Sequence, residues 1–225
     1  MTRGSARTDR GKQSRAAILG AAAAMFAENG YRGTSLATIA SAVDLTQQGV
    51  LHYFPSKEAL LLALLDEKYH EDGRLLLATM EHDGLDLLSA LKSLVEHNAV
   101  VPDSVRLFSA LTTESVSSNH PGHAYFVERY RKVRERLLSS LEVGQQLGHI
   151  RGDVDLEQLV QLIVAVMDGL QIQWLLDQRV DMVASFSLFA GLLSQVLGAS
   201  RADGASNGHA GSRGQRRTAP DRSHR

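Results

Sequence analysis

The sequence predicts an all-α fold in which an N-terminal three-helix unit is followed by a larger helical bundle. Along the 225 residues, apolar side chains recur at i, i+3, i+4 and i+7, which is the period of an amphipathic helix. The alternation of apolar and polar residues that marks a half-buried strand is not found. Two short helical patterns meet at a tight turn between residues 34 and 60, and they indicate a helix-turn-helix inside the N-terminal unit.

Residues 1–12 are predicted to form a disordered basic arm, because they are polar and have no apolar period. Such an arm serves solubility, or it contacts phosphates or a minor groove beside the main site. The first helix follows and is expected to end at Gly30. Its apolar face consists of Ile18, Leu19, Ala22, Met25 and Phe26.

The first helix of the predicted helix-turn-helix is too short to be stable alone, so it must pack against another element. Its start can be capped by Thr34 or Ser35. Asp44 follows the helix, and aspartate tolerates the left-handed backbone that a sharp turn requires. The apolar face consists of Leu36, Ile39, Ala40 and Val43.

The second helix of the motif begins after Thr46, a good N-cap residue, and ends before Pro55. Leu45, Val50 and Phe54 are expected to face inward. The outward face carries hydrogen-bonding groups with little charge, and it suits base edges because glutamine can bond bidentately to adenine. An ordinary polar face on a helical bundle has the same composition. The outward residues are Thr46, Gln47, Gln48 and His52.

The run from Ile18 to Leu60 resembles the DNA-binding domain of the TetR family of bacterial transcription regulators. The resemblance rests on an Ala-rich first helix that ends in FAENGYRGTSLATIA, a short turn, and a second helix that closes in YFPSKEAL. Two positions depart from the family pattern. Asp44 stands where the family usually has a glycine, and Leu51 stands where it usually has a tyrosine that contacts phosphate.

The outward face and the resemblance together imply a DNA-binding surface. Gln47, Gln48 and His52 are expected to contact bases. The residues expected at phosphates or sugars are Thr34, Thr38, Thr46, Tyr53 and Lys57, and Ser35 and Gly49 belong to the same predicted surface.

Ser56 is expected to cap a fourth helix that runs to about Met80. Lys57 lies in its first turn, where a cation opposes the helix dipole, so its position favours a phosphate nearby. The helix begins at the predicted DNA surface and continues into the next domain, so it can transmit a change between them. Its apolar stripe consists of Leu60, Leu61, Leu64 and Leu65.

A helix-turn-helix domain over residues 13–58 is thus predicted to precede a helical ligand-binding and dimerisation domain over residues 59–198. Asp155 and Gln158 form a capping box at the start of the penultimate helix. Residues 199–225 are rich in Gly, Ser and Arg and are predicted to form a disordered tail. The helical segments expected after residue 84 are about 85–99, 103–117, 122–147, 156–177 and 181–197.

The last two helices are apolar over a wider arc than the core of one subunit needs, which favours a four-helix interface between two copies. The resemblance implies the same homodimer. The alternative is that both helices belong entirely to the core. Their apolar residues are Leu159, Leu162, Ile163, Val166, Met167, Leu170 and Trp174 in the first helix and Val183, Phe186, Phe189, Leu192, Leu193 and Val196 in the second.

Regulators of this family usually enclose an effector in the helices after the DNA-binding domain, so the resemblance implies a pocket for an unidentified small molecule. Aromatic walls with a few polar groups are typical of such a pocket, and equally of a helical core with a polar edge. Asp168 interrupts an otherwise apolar helix and needs a partner if it is buried. The candidate ligand-binding residues are Phe108, Thr112, Tyr125, Phe126, Arg129, Tyr130, Met167, Gln171 and Trp174.

Other kinds of site are disfavoured by the sequence. The chain has no cysteine, so it has no disulfide and no thiolate metal site. His120 and His123 lie three residues apart without an evident third ligand, so we expect no metal and no cofactor. No catalytic motif is recognisable, and we expect no enzymatic activity.

Charge is distributed unevenly along the chain, although the formal net charge is −1. Residues 1–58 carry seven Lys or Arg against four Asp or Glu, and residues 199–225 carry six against two, so the middle is acidic. A basic N-terminal part is the expected footprint of a phosphate-binding surface. Uninterrupted apolar runs are short and the N-terminus is polar, so we expect no membrane span, no secretory signal and a cytoplasmic location.

The sequence therefore predicts a transcriptional regulator that binds a palindromic double-stranded DNA operator as a homodimer. Repression that a small-molecule effector relieves is the commonest mode that the resemblance implies. A transcriptional activator, a non-specific architectural DNA-binding protein and an enzyme built on a helical bundle are the alternatives.

Overall fold

The computed structural model describes residues 3–67 and 86–198, and every regular element in these two ranges is a helix. The all-α prediction is thereby confirmed. One isolated antiparallel bridge joins Ile150 to Gly198 and ties the turn before the penultimate helix to the end of the last one. The predicted continuation of the fourth helix to Met80 and the predicted tail over residues 199–225 lie outside the described residues.

The N-terminal part consists of α1 (Arg3–Gly33), α2 (Leu36–Ala42), α3 (Gln47–Tyr53) and α4, which is described over residues 57–67. The helices that follow, here called the body, are α5 (Asp86–Val100), α6 (Pro102–Glu114), α7 (His123–Gln146), α8 (Leu156–Leu176) and α9 (Met182–Leu197). Their ends agree with the segments predicted from the sequence to within three residues.

Helix α1 differs from the prediction at both of its ends. It begins at Arg3, whereas the sequence predicted a disordered arm over residues 1–12. Extending an existing helix costs far less than starting one, so a polar segment without proline can continue it. At the other end the helix is kinked at Gly30, which has φ 70° and ψ 173°, and one further turn follows the kink. The expected stop at Gly30 is therefore a kink within α1.

The two short helices around the turn are held by local side-chain caps. The Ser35 hydroxyl oxygen accepts the backbone N–H of Thr38 at 3.1 Å, and the Thr46 hydroxyl oxygen accepts that of Gly49 at 3.1 Å. Asp44 has φ 54°, the left-handed conformation that the sharp turn requires. The predicted helix-turn-helix geometry is confirmed at these positions.

The apolar interior forms two clusters that share body helices. The N-terminal cluster contains the buried residues of α1 to α4, from Ile18 to Leu65, together with Leu107, Leu111 and Phe126 of the body. The body cluster contains buried residues of α5 to α9, including Ile163 and Phe186. Apolar packing thus runs continuously across the domain boundary expected at residue 58, and that boundary stays a prediction.

The sequence could not tell which apolar residues of α8 and α9 belong to the core and which are exposed, and the structure distinguishes the two groups. Leu159, Ile163, Trp174 and Phe186 are buried in the body cluster. Six apolar residues are between 46% and 83% exposed and form a surface that we call the α8–α9 face; three of them, Ile172, Leu176 and Leu188, were not in the predicted set. Its large residues are Leu162, Ile172 and Leu176 of α8 and Leu188, Leu192 and Val196 of α9.

Helix α8 is also the one helix in the described ranges whose length and apolar composition would let it cross a membrane. The sequence led us to expect no such helix, because its apolar runs are short. One side of α8 packs inside the body cluster through Ile163 and Trp174, and a core helix passes the same test of length and composition.

Candidate nucleic-acid interface and effector site

Helix α3 presents its polar side to solvent. Val50 is fully buried in the N-terminal cluster, and Phe54, the residue that ends the helix, is buried there as well. Gln47, Gln48 and His52 are exposed. Because α3 is anchored by its apolar side, these three polar side chains are held outward on a fixed backbone, as reading base edges in a groove requires.

The predicted phosphate-contacting residues near the turn include exposed hydroxyl groups. Ser35, Thr38 and Thr46 are all exposed. The Ser35 and Thr38 hydroxyl oxygens lie 2.6 Å apart, so one donates to the other. Thr46 uses its oxygen as an acceptor for the cap of α3, which leaves its O–H free to donate to a phosphate oxygen.

Thr34 is different, and the structure corrects its predicted role. Thr34 is only 3% exposed. Its hydroxyl donates to the backbone carbonyl oxygens of Gly30 at 2.9 Å and Met25 at 3.1 Å. A buried hydroxyl that satisfies carbonyls of α1 has no surface from which to contact a phosphate. Thr34 therefore joins α1 to the start of α2.

Lys57 also has a structural role that the sequence did not predict. Its Nζ donates to the carbonyl oxygens of Tyr31 at 2.9 Å and Thr34 at 3.0 Å, and it lies 4.2 Å from the centre of the Tyr31 ring. The ammonium group thus caps the last turn of α1. Because an ammonium group has three donors, a phosphate contact by the third stays a prediction.

The remaining predicted surface residues lie on α3. Tyr53 is half-buried against the N-terminal cluster, and its ring meets that of His52 edge-on at 5.5 Å. Gly49 is half-buried in the first turn of α3, beside Thr46. Their DNA contacts stay predictions.

The candidate effector residues divide between the two clusters. Phe108, Tyr125 and Phe126 belong to the N-terminal cluster, where Phe126 meets Phe108 at 5.6 Å and Tyr125 at 5.3 Å between ring centres. The Tyr125 hydroxyl donates to the carbonyl oxygen of Leu65 on α4 at 2.8 Å. These aromatic residues therefore join α6 and α7 to the helix that follows the helix-turn-helix.

Met167 and Trp174 pack in the body cluster, and Gln171 is buried between them on α8. On α6, the buried Thr112 hydroxyl has no hydrogen-bond partner within the described ranges. An unpaired buried hydroxyl is costly, so it is a candidate to bind a polar ligand atom.

Polar groups connect the two sets of effector candidates. The Arg129 guanidinium lies 4.6 Å from the centre of the Phe108 ring, and the Tyr130 hydroxyl donates to the Asp168 carboxylate at 2.7 Å. Burial raises the pKa of Asp168, while the Tyr130 hydrogen bond and the nearby Arg129 charge lower it. Burial, followed by the nearby Asp168 charge, also raises the pKa of Tyr130. The result is a half-buried carboxylate that accepts from Tyr130 and lies near the Arg129 charge.

Both candidate metal ligands, His120 and His123, form hydrogen bonds with backbone groups between α6 and α7. His120 is buried, and its Nδ1 accepts the backbone N–H of Gly122 at 3.1 Å. The Nδ1–H of His123 donates to the carbonyl oxygen of Ser115 at 2.8 Å. Glu114 lies beside His120 and was not predicted, because the backbone N–H that it accepts belongs to Tyr31, 83 residues away in the chain.

Comparisons with known proteins agree with this architecture. The model of bacterial regulatory proteins of the tetR family matches residues 18–64, and a model described as BetI-type transcriptional repressor, C-terminal, matches residues 86–197. The chain is 30% identical over 152 residues to the HTH-type transcriptional repressor KstR2 of Rhodococcus jostii strain RHA1, a match that covers 64% of this chain and 71% of that protein.

Two solved structures share the fold. A TetR transcriptional regulator from Chloroflexus aurantiacus J-10-FL superposes with a TM-score of 0.76 at 23% identity, over 85% of this chain and 100% of that chain. The transcriptional regulator FadR from Bacillus subtilis, in complex with stearoyl-CoA, gives a TM-score of 0.68 at 23% identity, over 80% of this chain and 98% of that chain.

Proposed function

The chain belongs to the TetR family of bacterial regulatory proteins and is a DNA-binding transcriptional repressor regulated by a small molecule, and we propose that it binds a palindromic operator as a homodimer. Each subunit inserts α3 into a major groove, and the two-fold axis of the dimer matches that of the operator. Binding to chromosomal DNA places the protein in the cytoplasm, and it acts by binding without catalysis.

The observation that carries this proposal is the orientation of α3. Its apolar side is buried in the N-terminal cluster, while Gln47, Gln48 and His52 are exposed in one short helix. We assign the base contacts to these three side chains, and the backbone contacts to Ser35, Thr38 and the residues around them.

The test compares Q47A and Q48A with Q146A, which removes an exposed glutamine at the end of α7. The two α3 variants should weaken binding to the cognate operator by roughly 1–3 kcal/mol and leave binding to random DNA nearly unchanged. Q146A should change neither affinity. Operators selected from genomic fragments and titrated against random DNA at fixed salt provide the measurement.

Equal losses on cognate and random DNA for the α3 variants would contradict the base contacts. Uniform coating of DNA without a preferred palindrome would favour an architectural protein instead.

The dimer is proposed to form through the α8–α9 face. A monomer that exposes six large aliphatic residues on two adjacent helices leaves an apolar patch of the kind that marks protein interfaces. Two copies related by a two-fold axis would bury the same patch on each subunit and form a four-helix interface.

The effector is proposed to bind between the two clusters, close to Asp168 and Tyr130. Ligand pockets are largely apolar with a few polar groups that orient the ligand, and this region has aromatic residues on α6 and α7 and one half-buried carboxylate. A coupling of about 1–3 kcal/mol between ligand and DNA is sufficient for release.

A further inference from the structure

The end of α1 and the end of α6 are in direct contact at a backbone position that requires glycine. Gly30 has φ 70° and ψ 173°, a region that residues with a Cβ hardly occupy. A Cβ at Gly30 would lie 2.0 Å from the Glu114 carboxylate oxygen. The carboxylate of α6 is therefore seated directly on the kink of α1.

The kink exposes a backbone donor, and Glu114 accepts it. Because the helical path is broken at Gly30, the N–H of the next residue is directed away from the helix interior. The Tyr31 N–H donates to Glu114 Oε2 at 2.9 Å across 83 residues of sequence. A carboxylate acceptor makes this a charge-assisted hydrogen bond between the N-terminal part and the body.

The same Tyr31 residue is held from its other side by the start of α4. Its carbonyl oxygen accepts from Lys57 Nζ at 2.9 Å, and its ring lies against that ammonium group. Lys57 follows the end of α3 by only four residues. Contacts therefore connect Glu114 of the body through Tyr31 to Lys57, which the chain joins to α3 by a short segment.

The turn between α6 and α7 places a buried imidazole beside Glu114. His120 Nε2 lies 3.4 Å from Glu114 Oε2, and its side chain is 1% exposed. Because His120 Nδ1 accepts from the Gly122 N–H, the Ser115 hydroxyl donates to it at 2.8 Å, and the ring proton is assigned to Nε2 on the side of Glu114. A buried ring thus lies beside the Glu114 carboxylate, although its Nε2 makes no well-aligned hydrogen bond within the described residues.

We propose that Glu114 is a positioning residue that sets the orientation of the helix-turn-helix relative to the body and, with it, the operator half-site spacing that the dimer accepts. This inference rests on the proposed function, because spacing has a meaning only for a dimer on a palindrome. A body helix that moves when an effector binds would carry the carboxylate with it and would turn the helix-turn-helix away from that spacing.

The experiment uses the full chain and palindromes in which the selected half-sites are separated by spacers that differ by one or two base pairs. Wild-type protein should lose tenfold or more in affinity when the spacer changes by one base pair. E114A should lose about tenfold on the wild-type spacing and bind all spacers within about threefold of one another. E114Q should stay within about threefold of wild type, because its amide oxygen can accept the same N–H.

D103N is the matched control, because Asp103 is an exposed carboxylate in the first turn of the same helix. If E114A does not fold, E114D replaces it, since the shorter side chain keeps the charge but withdraws the oxygen from Tyr31. D103N should keep the spacer preference, and E114D should lose it.

Two outcomes would overturn the inference. In the first, the affinity of E114A falls by the same factor on every spacer, which means that Glu114 contributes only to the stability of the fold. In the second, E114A keeps the wild-type spacer preference. A wild-type protein with no preference for any palindrome would instead overturn the proposed function together with this inference.

Hydrogen exchange of backbone amides, measured without DNA, tests the hydrogen bond between Tyr31 and Glu114 independently of operator binding. The Tyr31 N–H should exchange at least tenfold faster in E114A than in wild type, D103N or E114Q. Unchanged protection in E114A would overturn the positioning role whatever the DNA results are.

Discussion

The contact between the ends of α1 and α6, here called the α1–α6 junction, differs from the α8–α9 face in whether its side chains have partners within the subunit. At the junction, polar groups such as the Tyr31 N–H, the Glu114 carboxylate and the Lys57 ammonium find partners within the chain. On the α8–α9 face, large aliphatic side chains such as Leu176 and Leu188 are not covered by any described part of the chain and stay 83% and 66% exposed. In the proposed dimer, a single subunit is therefore complete where it orients α3 and incomplete where it meets another copy.

The difference also concerns the kind of interaction. Hydrogen bonds are directional, so the junction can fix an angle between two parts of one chain. Apolar burial has no direction, so the α8–α9 face can supply affinity between subunits while the junction supplies geometry. On the proposed operator complex, the two regions together would determine where the two α3 helices lie.

The largest effect is expected from substitutions that disrupt the α8–α9 face. The double variant L162E/L192E places charges on both helices of the face, and a carboxylate buried in an apolar interface is strongly unfavourable. The variant should sediment as a folded monomer and lose roughly a hundredfold or more in operator affinity, because the second half-site no longer binds intramolecularly. Analytical ultracentrifugation and operator titration measure the two effects.

V127E is the control for this variant, since Val127 is 56% exposed on α7, outside the face. It should remain dimeric with unchanged operator affinity. A double variant that still sediments as a dimer would contradict the proposed interface.

A smaller effect is expected at the junction, from two glycines of the same helix. G30A forces a Cβ into a glycine-only conformation and against Glu114, and should reduce the free energy of unfolding by about 1–3 kcal/mol. G20A places its Cβ in open space within α1 and should increase that free energy by roughly 0.5–1 kcal/mol. Urea unfolding of both variants measures the difference, and equal shifts would contradict the special role of Gly30.

The smallest expected effect concerns Asp168 of α8 and the dependence of the protein's stability on pH. Burial raises its pKa above the ordinary value of 3.8, so the folded state keeps a proton that the unfolded state has already lost. The stabilisation by the protonated form is complete below that ordinary pKa and is lost as the pH rises through the raised pKa. At pH 7 the buried charge therefore lowers stability.

D168N keeps an acceptor for the Tyr130 hydroxyl but has no charge, so it should melt a few degrees higher than wild type at pH 7. The gain should shrink as the pH falls towards 3.8, and the exposed-site variant D103N should show neither effect. Melting curves between pH 3.5 and pH 7 provide the measurement; a D168N variant that melts below wild type at pH 7 would contradict the unfavourable burial.

The parts of the site that could be predicted from the sequence depend on neighbours in the chain. Asp44 in the turn and Thr46 at the start of α3 follow from backbone preferences and caps within four residues. The choice between Thr34 and Ser35 as the cap of α2 could not be made, because both carry a hydroxyl. Ser35 takes that role because the Thr34 hydroxyl is drawn to the carbonyl oxygens of Met25 and Gly30 on another helix.

The sequence by itself determined that the chain is helical, that α2, the turn and α3 form a helix-turn-helix, and that Gln47, Gln48 and His52 lie on its polar side. Periodicity, capping and turn chemistry act over a few residues, so they can be read from the order of amino acids. Only the tertiary structure decided which apolar residues of α8 and α9 stay exposed, and that the Glu114 carboxylate accepts the Tyr31 N–H at the kink of α1. Burial and long-range hydrogen bonds depend on which distant helices meet, and no local pattern carries that information.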